Sequence, residues 1–226
     1  MTVANVVLEP HCARLVQDTL SYWRKKPYRL NRKIKIVSQS QLVFTVRGNV
    51  AISDIFEDLD HNFRDFETAL SIMSHAIEEM PREWFKESGA EVTVLAWEGC
   101  GPKASRIKIS SKKDYSLRDG RLVNDSADNI GVERFDLVPG VYLAPSLGRH
   151  DIRSDLSDEQ LLKIAILQQE ISLRHKLNMC VGGDIEIATI DASGVSVRTL
   201  GEYPNKALTI AQIGKLNPYD VDSIAA

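Results

Sequence analysis

Thr2 stands directly behind Met1, and no other position in the chain offers chemistry as specific. Removal of Met1 would leave Thr2 with a hydroxyl and a free α-amine on one residue, a nucleophile that carries its own base. A free α-amine titrates near ~8, close enough to working pH to accept a proton. A neighbouring ammonium would lower that value and the hydroxyl's as well. Lys33 and Lys35 are the candidate cations, and Asp18 is the carboxylate that would hold one of them in place. In a strand over KIKIV both lysines point to the same face, so alternation alone does not choose between them. The reaction these groups suit is acyl transfer from an amide to water. Each residue also has a plainer reading: a lone Asp18 as a turn residue, lone lysines as solvated charges on a strand edge.

The elements that must position these residues follow from apolar spacing. Residues 2–8 and 12–18 flank Glu9-Pro10-His11 and predict a β-hairpin. Residues 19–32 are polar and basic, and the segment from Arg24 to Lys35 reads as a solvated or subunit-contact loop. Residues 33–37 and 41–46 alternate at period two around Ser38-Gln39-Ser40, a second hairpin ended by Arg47-Gly48-Asn49. A short helix is expected over Ile52–Leu59. Phe66, Ala69, Leu70, Met73, Ala76, Ile77 and Met80 then fall at helical spacing, and Pro81 closes that helix. Strands are expected at 91–97 and 106–110, a long loop or a small excursion over 111–136, and a strand at 140–144. Ser157 and Gln160 form a capping box for a helix to about Lys176, whose wide apolar arc predicts burial on more than one side. Residues 184–190 and 195–200 read as a last hairpin, followed by an irregular tail from Gly201 to Ala226. Hairpins separated by helices indicate a single α+β domain over 1–226.

Composition narrows the class. The chain has 226 residues, 43% of them hydrophobic and 26% charged, with a net charge of −3. These values fit a folded domain and give the whole molecule no bias towards nucleic acid. No apolar run approaches the roughly 20 residues of a membrane helix, and the first residues lack the pattern of a signal peptide. Cys12, Cys100 and Cys180 match no zinc or redox spacing, which points to a reducing, cytoplasmic setting. The five histidines show no paired ligand spacing, so neither metal nor other cofactor is expected. Cys12 and Cys180 sit in apolar runs and read as core, whereas Cys100 between two glycines reads as exposed. Basic residues at 24, 25, 26, 29, 32, 33 and 35 are interleaved with Tyr22, Trp23 and Tyr28. Single-stranded nucleic acid could bind such a stretch, although the acidic total charge disfavours it.

The order of these features resembles that of the proteasome and HslV-type peptidases among N-terminal nucleophile hydrolases. Thr2 and Asp18 are separated across a hairpin as that family's nucleophile and aspartate are. Arg32-Lys33-Ile34, followed by an alternating strand pair that ends in Gly48, resembles the segment that supplies the family's lysine. Val92 to Trp97 with Glu98 and Gly99, and the closing VGGDIEIATIDASGV, resemble further family segments. The resemblance implies a four-layer αββα sandwich with two antiparallel sheets and a catalytic set of Thr2, Asp18 and Lys33. It favours Lys33 over Lys35. It implies an oxyanion hole of backbone N–H groups near Gly48, and supporting roles for Ser146 and for Asn178, which stands nearest the family's expected aspartate. The turn Ala144-Pro145-Ser146-Leu147-Gly148 departs from the family's Gly-Ser-Gly-like text.

Threonine peptidase activity in a self-compartmentalised homo-oligomeric ring is the function so implied, with peptide or protein substrates and an ATP-dependent unfoldase as a partner. The alternative is a non-catalytic structural or assembly subunit with the same sandwich.

Overall fold

Runs of β-branched and aliphatic residues build two five-stranded antiparallel sheets. The computed structural model describes residues 4–23, 26–85, 89–112, 115–118, 121–124, 129–143, 156–174 and 181–213. In chain order the elements are β1 (Ala4–Glu9), β2 (Cys12–Asp18), β3 (Leu20–Trp23), β4 (Lys26–Leu30), β5 (Lys35–Val37) and β6 (Leu42–Arg47). Next come α1 (Val50–Leu59), α2 (Phe66–Glu79), β7 (Ala90–Glu98), β8 (Gly101–Lys112), β9 (Tyr115–Arg118), β10 (Arg121–Asn124), β11 (Asn129–Asp136) and β12 (Gly140–Tyr142). Last are α3 (Asp158–Arg174), β13 (Asp184–Asp191), β14 (Gly194–Glu202) and α4 (Lys206–Ile213). The first sheet runs β12-β1-β2-β13-β14 and the second β11-β8-β7-β6-β5.

Apolar residues of the first sheet are buried on both of its faces. On one face Val6, Leu8, Leu15, Ala188 and Ile190 pack against Val43, Leu95 and Ala104 of the second sheet. On the other face Val7, Val16, Ile185 and Ile187 pack with Leu161 and Ala165 of α3 and with Tyr203. The outer face of the second sheet, including Phe44, Val92, Val94 and Ile107, takes Ile52 and Phe56 of α1 and Phe66, Leu70, Met73 and Ile77 of α2. Phe44 meets Phe56 and Phe63 edge to face, at centroid distances of 5.9 and 6.3 Å.

Expectation and structure part in several places. Within the Arg24–Lys35 segment expected as a loop, Lys26–Leu30 forms a strand, β4, paired with β3, with Leu20 opposite Leu30. The described residues of 111–136 are strand: β8 extends to Lys112, β9 pairs with β10, and β11 pairs with β8 from Asn129 to Asp136. The chain after Gly201 completes β14 and then forms α4; residues 214–226 lie outside the described set. On α3 the expected wide apolar burial gives way to a mixed face. Leu161 and Ala165 are buried with Gln168, Gln169 and Ser172, while Leu167 and Leu173 are exposed. The capping box forms as expected: the Ser157 N–H donates to Gln160 Oε1 at 2.7 Å, and the Gln160 N–H donates to Ser157 Oγ at 3.3 Å.

Candidate active site

Antiparallel pairing brings Asp18 and Lys33 together. Asp18 is the last residue of β2, opposite Ile185 of β13, and its side chain is fully buried. After β4 the chain returns past the end of β2, tied there by the Asn31 N–H to the Thr19 carbonyl at 2.9 Å. Ile34 inserts into the apolar layer between the sheets and anchors the residue before it. Lys33 Nζ lies 2.9 Å from Asp18 Oδ2 and 2.6 Å from the Leu20 carbonyl oxygen. Its side chain is only 10% exposed. A buried ammonium needs such partners, since an unpaired charge at this depth would be very costly.

The two lysines take different partners, and they separate where the strand begins. Regular pairing starts at Lys35, so the alternation expected over 33–37 does not hold, and the two lysines part. Lys35 Nζ instead meets Glu57 Oε1 of α1 at 2.6 Å. Gly48 closes β6 with φ +133°, a conformation that suits glycine, and a Cβ there would come within 2.8 Å of the Ala90 Cβ. Asn49 then caps α1, its Oδ1 accepting from the Ala51 N–H at 3.1 Å. Thr2, Ser146 and Asn178 lie outside the described residues. Cys12, expected in the core, is half-buried and its thiol donates to Glu9 Oε2 at 3.0 Å. Burial, then the Glu9 carboxylate, pushes that thiol up to about 11. Cys100 is exposed as expected, and Cys180 is outside the described set.

Several residues around the pair carry no chemical motif and were not singled out by type or spacing. The Thr19 N–H donates to the Asp184 carbonyl at 3.0 Å, and Thr19 Oγ1 accepts from the Asp184 N–H at 2.8 Å. Gly182 and Gly183 make that approach feasible. A Cβ on Gly183 would sit 2.5 Å from Thr19 Oγ1, and one on Gly182 would sit 2.8 Å from Leu20 Cδ2. In sequence the glycine pair reads as a chain break. Tyr203 packs behind, its N–H on the Gly183 carbonyl at 3.0 Å. Its phenol is held well above the ordinary tyrosine range by burial first and by the Asp18 charge second. On the opposite face of β2, Gln17 is buried with its carboxamide unpaired among the described residues.

A polar seam supports the hairpin from α3. Asn5 of β1 and Gln168 exchange hydrogen bonds at 2.7 and 2.9 Å, and Gln169 Nε2 donates to the Val181 carbonyl at 2.8 Å. Among the described residues no three His, Cys, Asp or Glu side chains cluster as metal ligands. No helix among them is long and apolar enough to cross a membrane.

Two antiparallel sheets with flanking helices, and a hairpin leading to a buried Asp–Lys pair, make up a mixed α/β fold that a solved structure shares. The fold is similar to that of the Gly-1 mutant of Anbu from Hyphomicrobium sp. strain MC1. The match has a TM-score of 0.56 and 16% identity, and it covers 100% of this chain and 96% of that one. No family model and no curated protein matches the chain. At that identity the likeness speaks for the fold.

Proposed function

We propose that this chain is a threonine peptidase whose nucleophile is Thr2 after removal of Met1, built as a four-layer αββα sandwich. One observation carries the reading: the buried Lys33 ammonium, 2.9 Å from Asp18 at the end of β2. Its location favours a role at the chain start. Ala4, the first residue of β1, pairs with Gln17, the neighbour of Asp18. Thr2 is joined to Ala4 through Val3 alone, and two residues of chain reach no further than about 7 Å.

In the proposed reaction Thr2 Oγ bonds to the scissile carbonyl carbon while its proton passes to the α-amine. The tetrahedral adduct collapses, the C–N bond breaks, and the leaving amine takes that proton. Water then attacks the resulting ester, which splits into a free acid and regenerated Thr2. Lys33, charged and fixed by Asp18, stabilises the negative charge that develops on Oγ. Backbone N–H groups near Gly48 would receive the oxyanion, with Ser146 and Asn178 in support. The wider reading places this site inside a cytoplasmic homo-oligomeric ring that acts on peptides or proteins supplied by an ATP-dependent unfoldase.

Intact-mass measurement and a peptide epoxyketone test the reading together. The expected result is loss of one methionine mass, labelling at Thr2, and hydrolysis of acylated reporter peptides that Thr2→Ala abolishes. Retained Met1, or a processed protein that the probe leaves unlabelled, would favour the non-catalytic assembly subunit.

A further inference from the structure

The charge along the chain is unevenly placed, and its basic part includes the segment that links Asp18 to Lys33. Residues 19–53 contain no Asp or Glu, yet hold Arg24, Lys25, Lys26, Arg29, Arg32, Lys33, Lys35 and Arg47, in a molecule whose net charge is −3. Four of these cations are matched by carboxylates from elsewhere in the fold. Lys33 pairs with Asp18, Arg32 with Glu186, Lys35 with Glu57, and Arg47 with Glu91. Lys26 and Arg29 are different. Both are exposed, and neither meets a carboxylate among the described residues; Arg29 lies over the Tyr28 ring at 5.7 Å.

Their position follows from topology. The β3–β4 hairpin joins Asp18 to Lys33, so its two stems are the two members of the buried pair. Its base is fixed to the site by the Thr19 carbonyl and by the Leu20 carbonyl on Lys33 Nζ. Leu20 and Leu30 close that base over Gly182 and Gly183. Arg29, opposite Ser21, stands one step out, and Lys26, opposite Trp23, stands near the tip. Four residues of strand separate Lys26 from Leu30, a span of about 13 Å. An extended peptide covers the same distance in about four residues.

We propose that this hairpin is an acidic-peptide-binding element, in which Lys26 and Arg29 select substrates carrying Asp or Glu a few residues from the scissile bond. The inference rests on the peptidase reading for its substrate, but not for its binding surface. Exposed charge pairs are weak, so each cation contributes at most about a five-fold preference. The attraction also fades beyond a Debye length of about 8 Å in physiological salt.

The test has two arms. In the first, a fluorescein-labelled peptide with Glu at alternate positions is titrated onto the full chain, with its Lys counterpart and a single-stranded oligonucleotide as comparisons. Binding of the Glu peptide alone is expected, weakened several-fold by the Lys26→Glu, Arg29→Glu double variant and by added salt. Equal binding of both peptides, or oligonucleotide binding that the double variant abolishes, would overturn the proposal. Thermal melting of the double variant checks that it folds; if it does not, Lys26→Gln and Arg29→Gln singly give the same comparison. In the second arm, kcat/KM is measured on reporters with Glu or Lys three positions before the scissile bond. The expected ratio favours Glu in the parent and reverses in the double variant. An unchanged ratio overturns the inference and leaves the peptidase reading standing. Absence of any Thr2-dependent turnover counts against the peptidase reading, and the binding arm still decides this one.

Discussion

Lys33 is buried because Asp18 and the Leu20 carbonyl receive its ammonium, and Asp18 is fully buried with Lys33 against it. Each depends on the other, and the Asp18 charge is also felt by Tyr203. Lys33→Met keeps the length of the side chain and removes the charge. Taking one partner from a buried pair leaves the other uncompensated, at a cost of about 3 kcal/mol. For a chain of this size that corresponds to a fall in Tm of roughly 6–12 °C. Asp18→Asn added to Lys33→Met should cost less than the two single changes summed, because no unmatched charge remains. Urea unfolding of the three variants measures this. A loss below about 1 kcal/mol in Lys33→Met would show that the pair is not held as the geometry indicates. Peptide hydrolysis should vanish in Lys33→Met even at temperatures where the variant is folded.

The element scale shows why part of the site was legible in sequence and part was not. Strands with one clear apolar period, such as Asp184–Asp191, and helices with regular spacing, such as Phe66–Glu79, declare themselves. The β3–β4 hairpin does not, because Pro27 and a cluster of basic residues obscure its alternation, and a two-stranded ribbon needs no apolar face of its own. Lys33 and Lys35 share a parity in sequence, yet only the point where pairing starts decides which one turns to Asp18. Tyr203 and Thr19 were invisible because their role comes from contacts made across more than 160 residues of chain, as in Asp184 N–H to Thr19 Oγ1. Gly48 was legible as a strand end, and the structure adds why glycine stands there. Gly48→Ala should destabilise the fold by about 2–3 kcal/mol, from positive φ together with the clash on Ala90. Adding Ala90→Gly should restore only the part owed to the Ala90 methyl, since the Ala90 Cα and the Gly89 carbonyl oxygen both stand 3.1 Å from the new Cβ. Full restoration in a denaturation experiment would mean that the backbone angle carries no strain.

For the molecule as a whole, charged groups that tie elements together set the pH range in which the fold holds. Arg134 of β11 takes both oxygens of Glu67 of α2, at 2.8 and 2.9 Å, and also meets Asp136. Asp65 caps α2 through the Thr68 N–H and hydroxyl. Those bonds hold the carboxyls of Asp65, Glu67 and Asp136 below their ordinary range: Thr68 acts on the first and Arg134 on the other two. Because each titrates lower folded than unfolded, the unfolded chain binds more protons in acid. Their contribution is complete above the unfolded values of about 4 and disappears as pH falls through the folded ones. Cys12 acts in the opposite sense, pushed up to about 11 by burial and by Glu9. Its contribution is complete below the unfolded thiol value of about 8.5 and is lost as pH rises towards 11. Tyr203, raised by burial and Asp18, adds to that alkaline loss. Tm should therefore be level between about pH 5 and 8 and decline on both sides. Arg134→Met should flatten the acid side and leave the alkaline side alone, whereas Cys12→Ser should soften only the alkaline side. Differential scanning calorimetry from pH 3 to 10.5 reads both slopes. A Tm that rose as the solution passed from pH 5 to 4 would mean that these carboxyls are not stabilised by the contacts described.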